Sequence, residues 1–185
     1  KMNIALFGGS FDPPHIGHEK IVYEVINKLD IDKLIVVPAF LNPFKIKSHF
    51  SPNDRLELIK DLFEKDNHIN VSDFEVSQNR PIPSIETVLH LKQKFNPKKI
   101  YLIIGADNIK SLHLWQDFDK LKQLVTFIVI SRDGYEEKND IIQLINIKLD
   151  INISSTTLRE DLDLKYIPKK IKQKVTKLWK KELKE

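Results

Sequence analysis

Asn3-Ile4-Ala5-Leu6-Phe7-Gly8-Gly9-Ser10-Phe11-Asp12-Pro13-Pro14-His15-Ile16-Gly17-His18 decides the architecture of this chain. Asn3 to Phe7 is a mostly apolar run suited to a buried strand, and Gly8-Gly9 ends it. Beyond Pro13-Pro14, the residues Ile21, Val22, Val25, Ile26 and Leu29 return at helical spacing. The opening unit is therefore strand, tight loop, helix.

The same alternation continues downstream. Leu34 to Val37 is a second buried strand closed by Pro38, and Phe40 to Phe50 is a polar loop containing proline and lysine. Ser51-Pro52-Asn53-Asp54 starts a helix carried by Leu56, Ile59, Leu62 and Phe63, with Pro52 in the favoured first turn. Ile69 to Val71 is a short strand. Pro81-Ile82-Pro83 blocks helix, and Ser84 is expected to cap the next one, with Thr87 where a capping box would place Glu. Lys99 to Ile104 is a strand ending in Gly105-Ala106-Asp107, and Thr126 to Ile130 is another, ending in Ser131-Arg132-Asp133-Gly134. Ile151 to Ile153 leads into Ser154-Ser155-Thr156. Continuous apolar strands separated by helices predict a parallel sheet covered on both faces, with right-handed crossovers. We expect an α/β fold, a Rossmann-like doubly wound parallel sheet, as a single domain over 1–185 with a C-terminal helix. In such sheets ligands gather at the carboxyl ends of strands, where strand order reverses. Gly8 to His18, Asn42 to Lys47, Gly105 to Asp107 and Ser131 to Gly134 all follow strand ends.

Composition bounds the function classes. With 185 residues, 41% apolar and 30% charged, the chain is an ordinary globular sequence, which excludes disordered, collagen-like and mucin-like classes. The absence of cysteine removes disulfides, thiolate zinc sites and cysteine nucleophiles, and points to the cytoplasm. Lys1 to Gly9 has no long apolar stretch with a cleavage site, so secretion is not expected. No run approaches the roughly 20 apolar residues of a membrane span. The net charge of +4 is uneven, because 168–185 holds eight lysines and two glutamates. Ile167, Ile171, Val175, Leu178 and Trp179 nevertheless fall at the spacing of a helix with one buried face. The tail is read as a basic amphipathic terminal helix packed on the body, with its lysines in water and no nucleic acid or membrane as partner.

The chemistry concentrates in Gly8 to His18. Two glycines after a strand let backbone approach a ligand closely, and the following helix start offers N–H groups and a positive dipole end, which suits phosphate. No Gly-Lys-Ser/Thr follows, and the stretch is not a G-x-G-x-x-G fingerprint. His15 and His18 are three residues apart and share a face. Two imidazoles beside phosphate can donate charge-assisted hydrogen bonds; a dihistidine metal site is the alternative, without a visible third ligand. Ser154, Ser155 and Thr156 sit where a helix begins and can cap it or donate to phosphate, with Arg159 one turn further on.

These stretches resemble known signatures. Gly8 to His18 is similar to the signature of the H-x-G-H nucleotidyltransferase superfamily, and Ile153-Ser154-Ser155-Thr156-Thr157-Leu158-Arg159 is similar to its S-S-T-x-x-R element. Over nearly the whole length, the chain resembles the bacterial nicotinate-nucleotide adenylyltransferases of that superfamily. That likeness rests also on Gly105-Ala106-Asp107 followed by Trp115, Pro43-Phe44-Lys45, Ser51-Pro52 with Arg55-Leu56, and Arg132-Asp133-Gly134. It implies a nucleotidyltransferase domain over 1–185 that uses ATP, nicotinate mononucleotide and Mg²⁺ in NAD biosynthesis. His15 and His18 would be catalytic. Gly8, Gly9, Ser10, Phe11, Lys45, Gly105, Asp107, Ser154, Ser155, Thr156 and Arg159 would bind ATP or its phosphates, and Ser84, Trp115 and Arg132 the pyridine mononucleotide. No side chain is assigned as a metal ligand. The chain departs from the family where a P-P-H-K loop reads Asn42-Pro43-Phe44-Lys45 and S-Y-T reads Ile82-Pro83-Ser84.

In-line attack of a phosphate oxygen on the α-phosphorus of ATP needs positioning and neutralisation rather than a protein nucleophile. Three alternatives stay open on the sequence: another acceptor in the same superfamily, such as nicotinamide mononucleotide or pantetheine phosphate; a nucleotide-binding regulator without turnover; and a nucleic-acid binder read from the lysine tail. The sequence leaves open a homo-oligomer as well.

Overall fold

The computed structural model describes residues 1–41, 49–131, 144–150, 153, 158 and 162–184. Its centre is β1 (Asn3–Gly9), flanked by β2 (Lys33–Pro38) and β4 (Lys99–Gly105). With β3 (Ile69–Val71), β5 (Thr126–Ser131) and β6 (Leu144–Lys148), these strands form a six-stranded sheet in the order β3-β2-β1-β4-β5-β6. Every neighbouring pair is parallel. The expected doubly wound α/β fold is what the chain adopts, and strand order reverses between β1 and β4.

Alternation along the strands divides the apolar runs between two cores. Ala5 and Phe7, Leu34 and Val36, and Tyr101 and Ile103 face one side, where α1 (Ile16–Lys28), α2 (Pro52–Phe63) and the terminal helix α6 (Lys172–Leu183) cover them. Ile4 and Leu6, Ile35 and Val37, and Leu102 and Ile104 face the other, under α4 (Ser84–Phe95) and α5 (Phe118–Leu124). A short α3 (Phe74–Ser77) links β3 to α4, and a 3₁₀ helix over Ala106–Leu114 follows β4. No helix among the described residues is long and apolar enough to cross a membrane.

Two readings of the sequence need correction here. Ser84 does not cap α4: Pro83, with extended backbone, occupies the N-cap, Ser84 is the first helical residue, and no side chain caps that end. Thr87 turns inward and donates from Oγ1 to buried Glu75 at 2.8 Å. Strand β6 had no counterpart in the apolar pattern because Asn146 and Lys148 interrupt it; on this outermost strand, Ile147 is buried and Ile145 packs against the core. Ile151 and Asn152 lie outside the described residues.

Ile167, Ile171 and Val175 are buried, and Leu178 and Trp179 pack against the same core. Burying an apolar side chain of this size is worth about 1.5–3 kcal/mol. Truncation after Pro168 should therefore lower the thermal midpoint by several degrees or cause aggregation. Changing Lys172, Lys177 and Lys181 together to glutamine should leave the midpoint nearly unchanged, since exposed charges contribute little. Melting curves of both variants check this.

Candidate active site at the carboxyl edge of the sheet

Gly8 and Gly9 lie at the carboxyl end of β1, level with Val37 and Pro38 of β2, and Gly105 ends the neighbouring β4. Gly8 is exposed at this edge. A Cβ on Gly9 would come within 3.3 Å of the Phe11 ring, and one on Gly105 would come within 2.6 Å of Asp107 Oδ1. A side chain at Gly9 would therefore have to displace the buried Phe11 ring by a few tenths of an ångström, whereas at Gly105 the exposed Asp107 carboxylate could swing aside. Phe11 has a φ of 50°, in the left-handed region that costs a side-chain-bearing residue on the order of 1–3 kcal/mol. Its buried ring offsets that cost by meeting Phe7 edge-on at 5.3 Å and His18 edge-on at 4.9 Å.

The histidine pair closes a reciprocal cap on α1. Gly17 N–H donates to His15 Nδ1 and His15 N–H donates to His18 Nδ1, both at 3.0 Å, and the rings stack at 3.7 Å. A sequence signal for this existed, since a residue at the N-cap and another three positions on form a capping box; histidine replaces the usual Ser and Glu. Because each Nδ1 accepts a backbone proton, each neutral ring carries its own proton on Nε2. Burial, and secondarily the proximity of His15, holds the His18 pKa well below the ordinary imidazole value. This favours the neutral ring in the chain without ligand, so a charge-assisted bond from His18 would require a bound anion to restore its proton. A dihistidine chelate would compete with backbone N–H groups for both Nδ1 lone pairs. Among the described residues, no three His, Asp or Glu side chains gather in a group able to hold a metal ion.

Two buried charges hold the turn. Asp12 accepts from His49 N–H at 2.7 Å and Phe50 N–H at 2.8 Å. Arg55, on α2, is 1% exposed and donates to four carbonyls: Nε to Phe50, Nη1 to Ser10 and Ala39, and Nη2 to Phe40. Burial lowers its pKa and Asp12 opposes that shift. The resemblance marked Arg55 without giving it a role. A positional signal was available: Arg55 shares the apolar stripe of Leu58, Ile59 and Leu62 on α2, where an arginine must find buried acceptors. Glu75 went unnoticed in the sequence. It is buried beside Thr87, and burial pushes its pKa up to about 7 against the opposing hydrogen bond from Thr87.

The structure gathers Gly8, Gly9, Ser10, Phe11, His15 and His18 into one turn beside the end of β4, where Gly105 and exposed Asp107 lie. Ser84 starts α4, which leads into β4 and so begins at the same edge. Trp115 packs against the second core and also lines a surface pocket of about 540 Å³ with His113, Asp117, Phe118, Asp119 and Lys120. None of the described hydrogen bonds and ring contacts joins Ser84 or Trp115 to the histidine pair. Lys45, Arg132, Ser154, Ser155, Thr156 and Arg159 lie outside the described residues.

Comparison with known proteins agrees with this architecture. Residues 6–161 match the family model described as cytidylyltransferase-like. The protein named "Probable nicotinate-nucleotide adenylyltransferase" from Sulfurimonas denitrificans is 47% identical, covering 97% of this chain and 96% of its own. One of the same name from Aliarcobacter butzleri is 44% identical over 96% and 97%. Among solved structures, Plasmodium falciparum nicotinic acid mononucleotide adenylyltransferase complexed with NaAD superimposes with a TM-score of 0.80 at 22% identity, covering 96% of each chain.

Two variants test the energetics of the turn. Arg55→Lys keeps the charge but loses the planar fork, leaving buried carbonyls unpaired; we expect a loss of at least about 2 kcal/mol by chemical denaturation. A His18 pKa depressed in the folded state means that unfolding takes up a proton below pH ~6.5, so this histidine's contribution is complete above that pH and is lost as the solution becomes more acidic. His18→Asn, whose Oδ1 can still accept from His15 N–H, should flatten the decline in stability as the pH falls below about 6.5. Urea melts across that range give the comparison.

Proposed function

Because the chain belongs to the cytidylyltransferase-like family, and within it to the nicotinate-nucleotide adenylyltransferases, we propose that it transfers AMP from ATP to nicotinate mononucleotide, yielding nicotinate adenine dinucleotide and pyrophosphate in NAD biosynthesis. The observation that carries this reading is the glycine turn with its stacked histidines, set at the carboxyl end of the central strand where strand order reverses. We propose the cytoplasm as its compartment, on the cysteine-free composition.

A phosphate oxygen of the mononucleotide attacks the α-phosphorus of ATP in line. One P–O bond forms, the bond to the β-phosphate oxygen breaks, and its electron pair leaves with pyrophosphate. No proton transfer is required, because nucleophile and leaving group are both oxyanions. The work of the chain is to bring two polyanions together and to stabilise charge on the equatorial oxygens. In this reading His15 and His18 donate from Nε2 to those oxygens, the tautomer set by the backbone N–H groups at each Nδ1. Gly8 and Gly9 allow close approach of backbone to phosphate. Lys45 and Arg159, with Ser154, Ser155 and Thr156, take the rest of the triphosphate; Asp107 contacts nucleotide at the end of β4.

An ATP-dependent nucleotidyltransferase generally uses a divalent metal, and we propose Mg²⁺. The donor set suits an ion carried on substrate phosphates, because Asp12 is already committed to His49 and Phe50 and no carboxylate cluster is present among the described residues. The ion would neutralise phosphate charge, with Asp107 the exposed carboxylate at this edge.

The uncapped start of α4 is our candidate for the pyridine carboxylate, whose oxygens accept where a carboxamide would also present donors. Trp115 and Arg132 complete that proposed subsite. Pyrophosphate release with ATP, Mg²⁺ and either mononucleotide tests the reading: nicotinate mononucleotide should be preferred, and equal efficiency would refute carboxylate capture. Arg159→Ala should raise the KM for ATP more than that for the mononucleotide, whereas His18→Asn should lower kcat by about 10²-fold. Steady-state kinetics with each substrate varied in turn separate these effects.

A further inference from the structure

The terminal helix touches the other side of the segment that holds the glycine turn. Trp179 stacks on the His49 imidazole at 4.5 Å with the planes 26° apart, and meets Phe50 nearly edge-on at 6.3 Å. His49 and Phe50 are also edge-to-face with each other at 5.2 Å. These are the two residues whose N–H groups donate to Asp12, and Phe50 supplies one of the carbonyls that Arg55 gathers with that of Ser10. Backbone 49–50 therefore faces the turn while its side chains face α6.

The Nε2 atom of His49 is buried and makes no hydrogen bond among the described residues, and the Glu182 carboxylate, also on α6, is 3.8 Å away. Ring packing against Trp179 and Phe50, with the Glu182 carboxylate nearby, holds the imidazole against α6, and with it the peptide that reaches Asp12.

We propose that Trp179 is a positioning residue for the glycine turn, acting through His49 and Phe50 on Asp12. This rests on the adenylyltransferase reading only for its effect on rate; the mechanical link stands apart from it. Loss of the Trp179 ring frees the peptide at 49–50, which loosens Asp12 and the adjoining backbone of Phe11 and Ser10. Turnover suffers more than substrate affinity, because small misplacements of preorganised donors are felt chiefly in the transition state.

The test compares full-length Trp179→Ala, Trp179→Phe, His49→Ala and Val175→Ala proteins by amide hydrogen exchange of peptides covering 8–14 and 49–51 and by steady-state kinetics. Val175 is fully buried on the same helix, one turn earlier, and reports what loss of packing alone does. Trp179→Ala and His49→Ala should speed exchange in both peptides and lower kcat by about 10-fold with little change in KM. Trp179→Phe should restore most of both, and Val175→Ala should lower the melting temperature without either effect. Unchanged exchange in the two peptides of both the Trp179→Ala and His49→Ala proteins, or an equal response to Val175→Ala, would overturn the proposal. A wild-type protein without turnover would refute the adenylyltransferase reading instead, and the exchange data alone would then decide the link.

Discussion

Everything at the carboxyl edge of this sheet depends on one buried cation. The Arg55 guanidinium cannot remain in the interior unless oxygens surround it, and the available oxygens are carbonyls of the glycine turn, the end of β2 and the approach to α2. Meeting that requirement draws separate stretches of chain to one point. Asp12 adds the compensating charge and joins the same approach segment through two further N–H groups. The planar fork matters as much as the charge, because a single ammonium could not span these acceptors.

On this framework the helix start acquires a second use. Capping α1 with imidazoles satisfies backbone donors and at the same time assigns a tautomer to both rings, so the interactions that terminate the helix also decide where each exchangeable proton sits. Burial then favours the neutral form of His18. At the start of α4 the opposite choice is made, with no side chain over the end and a carboxyl, Glu75, buried behind it against Thr87. One helix is closed by the chain; the other leaves its first N–H groups without a side-chain cap.

How much of this could be read from the sequence follows from the range of each interaction. The apolar runs at Leu34 to Val37 and Lys99 to Ile104 are strands in the structure because local pattern and burial agree, and the reversal beside β1 follows from their order. The histidine pair was legible as a pair, since its spacing is local, whereas the direction of its hydrogen bonds was not. Strand β6 escaped because an outermost strand tolerates Asn146 between its inward isoleucines and Lys148 after them. Ser84 misled because the proline just before it satisfies the N-cap geometry unaided. Arg55, Asp12 and the His49–Trp179 stack are contacts between distant parts of the chain, and no spacing rule records them.

The crowding between Gly9 and Phe11 limits how this turn can diverge. Any side chain at position 9 presses on a buried ring 3.3 Å away, so it is accommodated by a shift of that ring or by a smaller residue at position 11. A smaller residue at 11 relieves that pressure but withdraws the edge-on support of His18, and glycine there would remove backbone strain at the same cost. Substitutions at the two positions are therefore non-additive, each altering the effect of the other. A change at either position is felt first as altered support for the His18 ring.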